Sequence, residues 1–167
     1  MIIGMSIQTF TILHVVISLV AIASGVVVLV GMLGGHRLAG WTALFLATTI
    51  LTSVTGFMFP IHGFTPAVGT GALSLVILLV ALIALYAKHL SGAWRWIYVA
   101  TAASALYFNV LVLIVQSFQK IPALRAIAPT QSELPFVLAQ GAALVVFVVL
   151  GIMAVMRFHP ADQAAAR

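Results

Sequence analysis

Chemistry in this chain rests on five histidines, a set of uncharged polar side chains and a thioether in an otherwise oily sequence. Neutral imidazole ligates haem iron or copper, and a thioether such as Met58 suits Cu(I) or haem. His14 and His62 are therefore candidate metal ligands, with His36 and His89 as a second candidate pair. Imidazole also hydrogen-bonds a quinone carbonyl, and Thr52, Thr55, Asn109, Gln116 and Gln140 would line a dry pocket around such a headgroup. The competing reading is packing: His14 as a residue hydrogen-bonded between helices, His62 as an interfacial loop histidine. Headgroup contact competes with ligation at His36 and His89, which stand beside Arg37 and Lys88. His159, next to Pro160, is assigned no role.

Other chemistries are excluded. Cysteine is absent, so thiolate metal sites, disulfide exchange and thioether-linked haem are out. The two acids, Glu133 and Asp162, are expected on opposite sides of a membrane, which removes hydrolysis by paired carboxylates. Neither lies within an apolar stretch, so a proton pump built on buried carboxylates is not expected. There is no glycine-rich phosphate loop.

The elements that must position these groups are read from composition. Hydrophobic residues make up 64% of the 167 positions and charged ones 5%, against roughly 25% charged in an ordinary soluble domain. About 20 apolar residues cross a bilayer as a helix. The chain is accordingly read as one all-α domain, a five-span transmembrane bundle with spans at about 9–33, 41–59, 69–87, 95–117 and 134–157. In the first span His14, Ser18, Ala21, Gly25 and Val28 share one face, and Ala21 with Gly25 forms a small-xxx-small pair for close helix approach. In the second, Thr48, Thr52, Thr55 and Phe59 recur at helical spacing, with Thr49, Ser53 and Gly56 on an adjoining face. These hydroxyls can also bond their own preceding carbonyls. Pro60 ends or kinks that span.

The third span is nearly featureless and is expected to be the most lipid-exposed. Thr101, Ala105, Asn109, Val112 and Gln116 share a face of the fourth, and Asn109 is deep enough to need a partner on another helix. A short interfacial turn is expected between spans four and five, and Thr130-Gln131-Ser132-Glu133 fits a capping box opening the fifth.

The net charge of +5 is read as a membrane rim and not as a nucleic-acid surface. Positive-inside bias puts Arg37, Lys88, Arg95, Arg157 and Arg167 in the cytoplasm and Lys120 and Arg125 outside. The amino terminus is then outside and the carboxyl terminus cytoplasmic. His14, Thr52, Thr55, Met58, His62, Asn109, Gln116 and Gln140 fall in the outer half, and His36, His89 and His159 at the inner rim.

Leu13-His14-Val15-Val16-Ile17-Ser18, then His36-Arg37-Leu38-Ala39-Gly40, then His89 followed by Trp94-Arg95-Trp96 resembles small proteobacterial multi-pass membrane proteins. Their histidine pattern is similar to that of four-helix bis-histidine b-type cytochromes. The resemblance covers roughly the first 100 residues. It implies haem b near each surface, held by His14 with His62 and by His36 with His89, and electron transfer as the activity. This sequence departs from that pattern in placing His36 in a glycine-rich turn and His62 beyond Pro60. The residues themselves point first to a non-enzymatic binding or accessory protein of the bacterial inner membrane. Its outer-half polar pocket would take a quinone, lipid or haem, and its partners would be membrane lipids and other membrane-protein subunits.

Overall fold

A computed structural model describes residues 2, 4–60, 63 and 66–160. His62, Asp162 and Arg167 lie outside the described residues. The chain forms helices α1 (Ile7–Leu33), α2 (Ala39–Phe57), α3 (Pro66–Leu82), α4 (Trp94–Lys120), α5 (Pro122–Ile127) and α6 (Leu134–Arg157). α3 runs on through a π-helical turn, Ile83–Ala87. Five of these helices, α3 counted with its π turn, are long and apolar enough to cross a membrane, and α5 is the short turn expected between the last two.

Each junction has a local cause. Ser6 caps α1 by accepting from the Thr9 N–H at 3.1 Å, which satisfies a donor that has no helical partner. At the other end Gly35 takes a φ of +77° and His36 N–H returns to the Gly31 carbonyl at 2.8 Å. This left-handed glycine closure ends the helix within one residue. The turn after α3 needs the same conformation at His89 and Leu90, φ 48° and 59°. There the cost of a left-handed non-glycine is offset by burial of Leu90 in the core. Lys88 Nζ stands 5.6 Å from the Trp94 ring centroid, a cation–π contact at the head of α4.

The five long helices run antiparallel in sequence, and α4 is the hub, packing against α1, α2, α3 and α6. The core under it contains Val28, Phe45, Leu78, Leu85, Val99 and Leu106. Gly25 of α1 sits at the tightest point. A methyl group there would lie 2.6 Å from Leu106 Cδ1 of α4 and 2.8 Å from the Phe45 ring of α2, so any larger residue must displace side chains of two neighbouring helices. At one end of the bundle Arg95 Nη1 donates to the carbonyls of Phe158 at 2.7 Å and Val155 at 3.1 Å. A guanidinium thereby satisfies the unpaired carboxyl-terminal carbonyls of α6 and complements its dipole. Phe158, 1% exposed, packs against Tyr98 beside it.

Two expectations are corrected. α6, and not the third span, is the most exposed of the five long helices: none of its most apolar window is buried, against 28% for α3 with its π turn. α6 packs chiefly against α4 and α1, while α3 lies in the angle between α2 and α4 and buries Ser74 against Ser53. The capping box is half formed and lies outside the helix. Glu133 accepts from the Thr130 N–H at 3.1 Å and the Thr130 hydroxyl at 2.8 Å, but its own position is the cap of α6 and no side chain caps that end. Pro135 in the first turn removes one of the donors a cap would serve. Desolvation pushes the Glu133 carboxyl up, yet the hydrogen bonds from the Thr130 hydroxyl and from the backbone N–H groups at 133, 130 and 132 outweigh it and hold the group below its ordinary value.

Gly25→Leu should lower the thermal unfolding midpoint in detergent, because overpacking a filled contact costs about 1–3 kcal/mol. Gly141→Ala, where nothing lies within 4 Å of the added methyl, should leave the midpoint unchanged or slightly raised. Equal responses of the two variants would contradict the three-helix contact.

Candidate functional site

Antiparallel packing of α1 on α2 sets the site. The Gly25 position faces Phe45. Eleven residues back along α1 and eleven forward along α2, about three turns on each, His14 faces Gly56, its Cε1 lying 3.8 Å from where a methyl on that glycine would be. The ring turns from there to Thr55, with Nδ1 2.7 Å from Oγ1. The same register sets Ser18 level with Thr52.

A hydroxyl has one proton, and its destination fixes the tautomer of His14. Thr55 Oγ1 lies 2.6 Å from the Leu51 carbonyl and 3.2 Å from that of Thr52. With the Thr55 proton directed to the Leu51 carbonyl, the 2.7 Å contact is a bond donated by His14 Nδ1–H; with the hydroxyl turned to Nδ1, it is a bond donated by Thr55 to the other tautomer. The first arrangement runs Nδ1–H to Oγ1–H to carbonyl and keeps the 2.6 Å bond to Leu51 that the second gives up. His14 Nε2 makes no hydrogen bond among the described residues. Phe59 packs edge-on to the imidazole at 5.3 Å and Phe10 against Phe59 at 5.1 Å, giving the seam an aromatic wall.

One helical turn deeper on the same face of α2, Thr52 Oγ1 is buried without a partner. That is unusual in a bundle whose hydroxyls mostly bond the carbonyl four residues back, as Thr11, Ser18, Ser24, Thr48, Thr101 and Ser117 do. An unpaired buried hydroxyl costs about 1–3 kcal/mol, which marks this level of the α1–α2 seam as incompletely satisfied.

The remaining residues proposed for the pocket divide. Asn109 is buried and its Nδ2 donates to Thr49 Oγ1 at 3.2 Å, which ties α4 to α2 on the adjoining face and not to the Thr52 and Thr55 face. Gln140 Nε2 donates to the Leu111 carbonyl of α4 at 3.2 Å, while its Oε1 is buried and unpaired. Gln116 is exposed. Met58 is the cap of α2, its N–H bonded to the Thr55 carbonyl, and its side chain is exposed. The structure therefore joins His14 with Thr55, stacks Thr52 beneath them, and engages Asn109 and Gln140 elsewhere. His62, the intended second imidazole, falls outside the described residues. His36 and His89 are exposed in the turns that follow α1 and α3. No group of three or more metal-ligating side chains occurs among the described residues.

Phe10, Phe59 and Thr49 were not singled out for the site by sequence. Thr49 carried a usable signal, since it lies on the neighbouring α2 face and is as deep as Asn109. Comparison with protein families, with curated proteins and with solved structures finds no match for this chain.

Asn109→Leu should lower stability by about 0.6 to 2 kcal/mol, the range of polar contacts between membrane helices. Thr49→Val should cost much less in the Asn109→Leu background than in the wild type. Strict additivity of the two substitutions in thermal unfolding would mean that the bond contributes nothing.

Proposed function

We propose that this chain is a small multi-pass protein of the bacterial inner membrane, non-enzymatic in role, which binds the ring of a lipid-soluble quinone at the outer end of the α1–α2 seam. The observation that carries this reading is the His14–Thr55 bond, which turns a polar imidazole nitrogen outward beside two phenyl rings in an apolar protein. Such a nitrogen is costly in hydrocarbon unless it finds a partner. An aromatic headgroup with an oxygen at its edge supplies both the polar contact and the ring packing.

Orientation rests on charge. Arg37, Lys88, Arg95 and Arg157 stand at the end of the bundle away from His14, and Lys120 and Arg125 stand at the end near it. The positive-inside bias then makes the His14 end the outer one. A reporter fused after Arg167 should read cytoplasmic and one fused at Met1 should read outside. Both reporters on one side would contradict five crossings.

The binding reading is tested with a photoreactive short-chain benzoquinone, supplied in its oxidised form and as its hydroquinone, applied to the full chain in lipid nanodiscs; His14-dependent labelling by either form supports it. Labelling should map to α1 and the carboxyl-terminal half of α2, compete with unlabelled quinone, and fall at least fivefold in His14→Ala. Labelling spread evenly over the lipid-facing helices, or indifferent to that substitution, would reject it.

A second reading, a bis-histidine b-type cytochrome, is favoured by the same bond. Histidines that ligate metals usually donate their other ring N–H to an acceptor that orients them, and Thr55 stands in that relation to His14. Among the described residues His14 would hold the haem, through Nε2, and the haem would supply reversible electron transfer. Protein from haem-replete cells with a Soret band lost in His14→Ala would favour this reading over the first.

A further inference from the structure

We infer that the ligand at this site is held through a hydroxyl group that it donates to His14 Nε2, so that the hydroquinone form of a lipid-soluble quinone is bound in preference to the oxidised form. This inference rests on the quinone-binding reading and adds which redox state the site selects. The selection follows from hydrogen-bond polarity. The arrangement that keeps the 2.6 Å bond from the Thr55 hydroxyl to the Leu51 carbonyl is the one in which Thr55 accepts from His14. In it His14 spends its single ring proton on Nδ1, and Nε2 is an acceptor.

A quinone presents carbonyl oxygens, which are also acceptors. Set against Nε2, a carbonyl leaves both lone pairs unsatisfied. The hydroquinone presents O–H groups, and one of them completes the chain from ligand hydroxyl to imidazole, to Thr55, to the helix backbone. Successive hydrogen bonds that run in one direction polarise one another favourably. The site could take the oxidised ring only by moving the His14 proton to Nε2, and the Thr55 hydroxyl would then have to turn to Nδ1 and give up its 2.6 Å bond to the Leu51 carbonyl. No electron or proton is transferred in this proposal; it concerns binding alone.

The same bond makes the selection a property of Thr55 as much as of His14. Replacing the hydroxyl by a methyl group of similar size removes the acceptor that fixes Nδ1–H, and the imidazole is then free to take either tautomer. Thr55→Val should keep the shape of the seam and lose the preference.

The test uses full-length protein in nanodiscs, with histidine nitrogens labelled, under anaerobic conditions. A short-chain benzoquinone and its hydroquinone are the probes. Nitrogen NMR of the free protein should show His14 as the Nδ1–H tautomer. The hydroquinone should shift the Nε2 resonance and bind at least about tenfold more tightly than the oxidised ring. Thr55→Val should bring the two affinities within about twofold of each other. Equal, His14-dependent binding of both forms would overturn the inference and leave the site standing. An Nε2–H tautomer in the free protein would likewise overturn it. Absence of any His14-dependent binding of either form would remove the site and the inference together.

Discussion

The close approach at Gly25 is the constraint from which the other contacts of the bundle follow. Helices in hydrocarbon gain nothing from hiding apolar surface from lipid that is itself apolar, so they associate where backbones can come close. At Gly25 the α1 backbone meets the side chains of Leu106 of α4 and Phe45 of α2, which a methyl group would have to push aside. Once α1 and α2 are fixed there, their antiparallel register is fixed along their whole length. His14 is then opposite Gly56, and Thr55 is within reach of its ring. That polar contact lies about 16 Å from Gly25, eleven residues at 1.5 Å each, along the same helix register.

Polar groups inside the bundle obey a strict economy. Most hydroxyls close on their own helix, a local solution that leaves the neighbouring helices uncommitted. A few side chains bond across helices instead, among them His14 to Thr55, Ser53 to Ser74, Asn109 to Thr49, Gln140 to the α4 backbone and Arg95 to the end of α6. Between them they join α1 to α2, α2 to α3 and α4, and α4 to α6. They stitch the same neighbours that the apolar core packs. Arg95 does this at one end of the bundle, where it closes the last long helix onto the hub through the carbonyls of Val155 and Phe158.

Much of this architecture is legible in the residues. Length and apolarity define the five long helices to within about three residues at either end of each stretch, because a bilayer-length apolar run has few alternatives. The inward face of α1 is also legible: Ala21 and Gly25 are buried as their small size implies, and Asn109 does find a partner on another helix. Ranking the exposure of the spans is not legible. α3 and α6 are both nearly pure hydrocarbon, and which of them lies in a three-helix angle is decided by the hub face of α4 rather than by their own composition. The capping box misleads for a local reason. Glu133 makes the backbone bond its type predicts, but Pro135 and the cap position of Glu133 itself start the helix after the motif and not within it. For the candidate site, the type of each group is readable and its partner is not. Helix register alone separates Thr55, which meets His14, from Thr52, whose hydroxyl is unpaired, and from Asn109 and Gln140, which tie α4 to α2 and to α6.

Rigidity distinguishes His14 from the other described histidines. Threonine is stiff about its first side-chain torsion, and the bonds from Thr55 to Leu51 and Thr52 hold its oxygen over its own helix. The acceptor offered to His14 is thus as fixed as the helix that carries it. His14 in turn rises from the middle of a continuous helical stretch and is braced by the Phe59 edge. His36 and His89 sit in turns, one following a left-handed glycine and the other itself at positive φ, and both are exposed. An imidazole on such a turn can satisfy either nitrogen with water or a headgroup, in either tautomer. At His14 the Leu51 carbonyl, which has no proton to give, favours the arrangement in which Thr55 accepts from Nδ1–H, and in the proposed site that preference passes through Thr55 to Nε2.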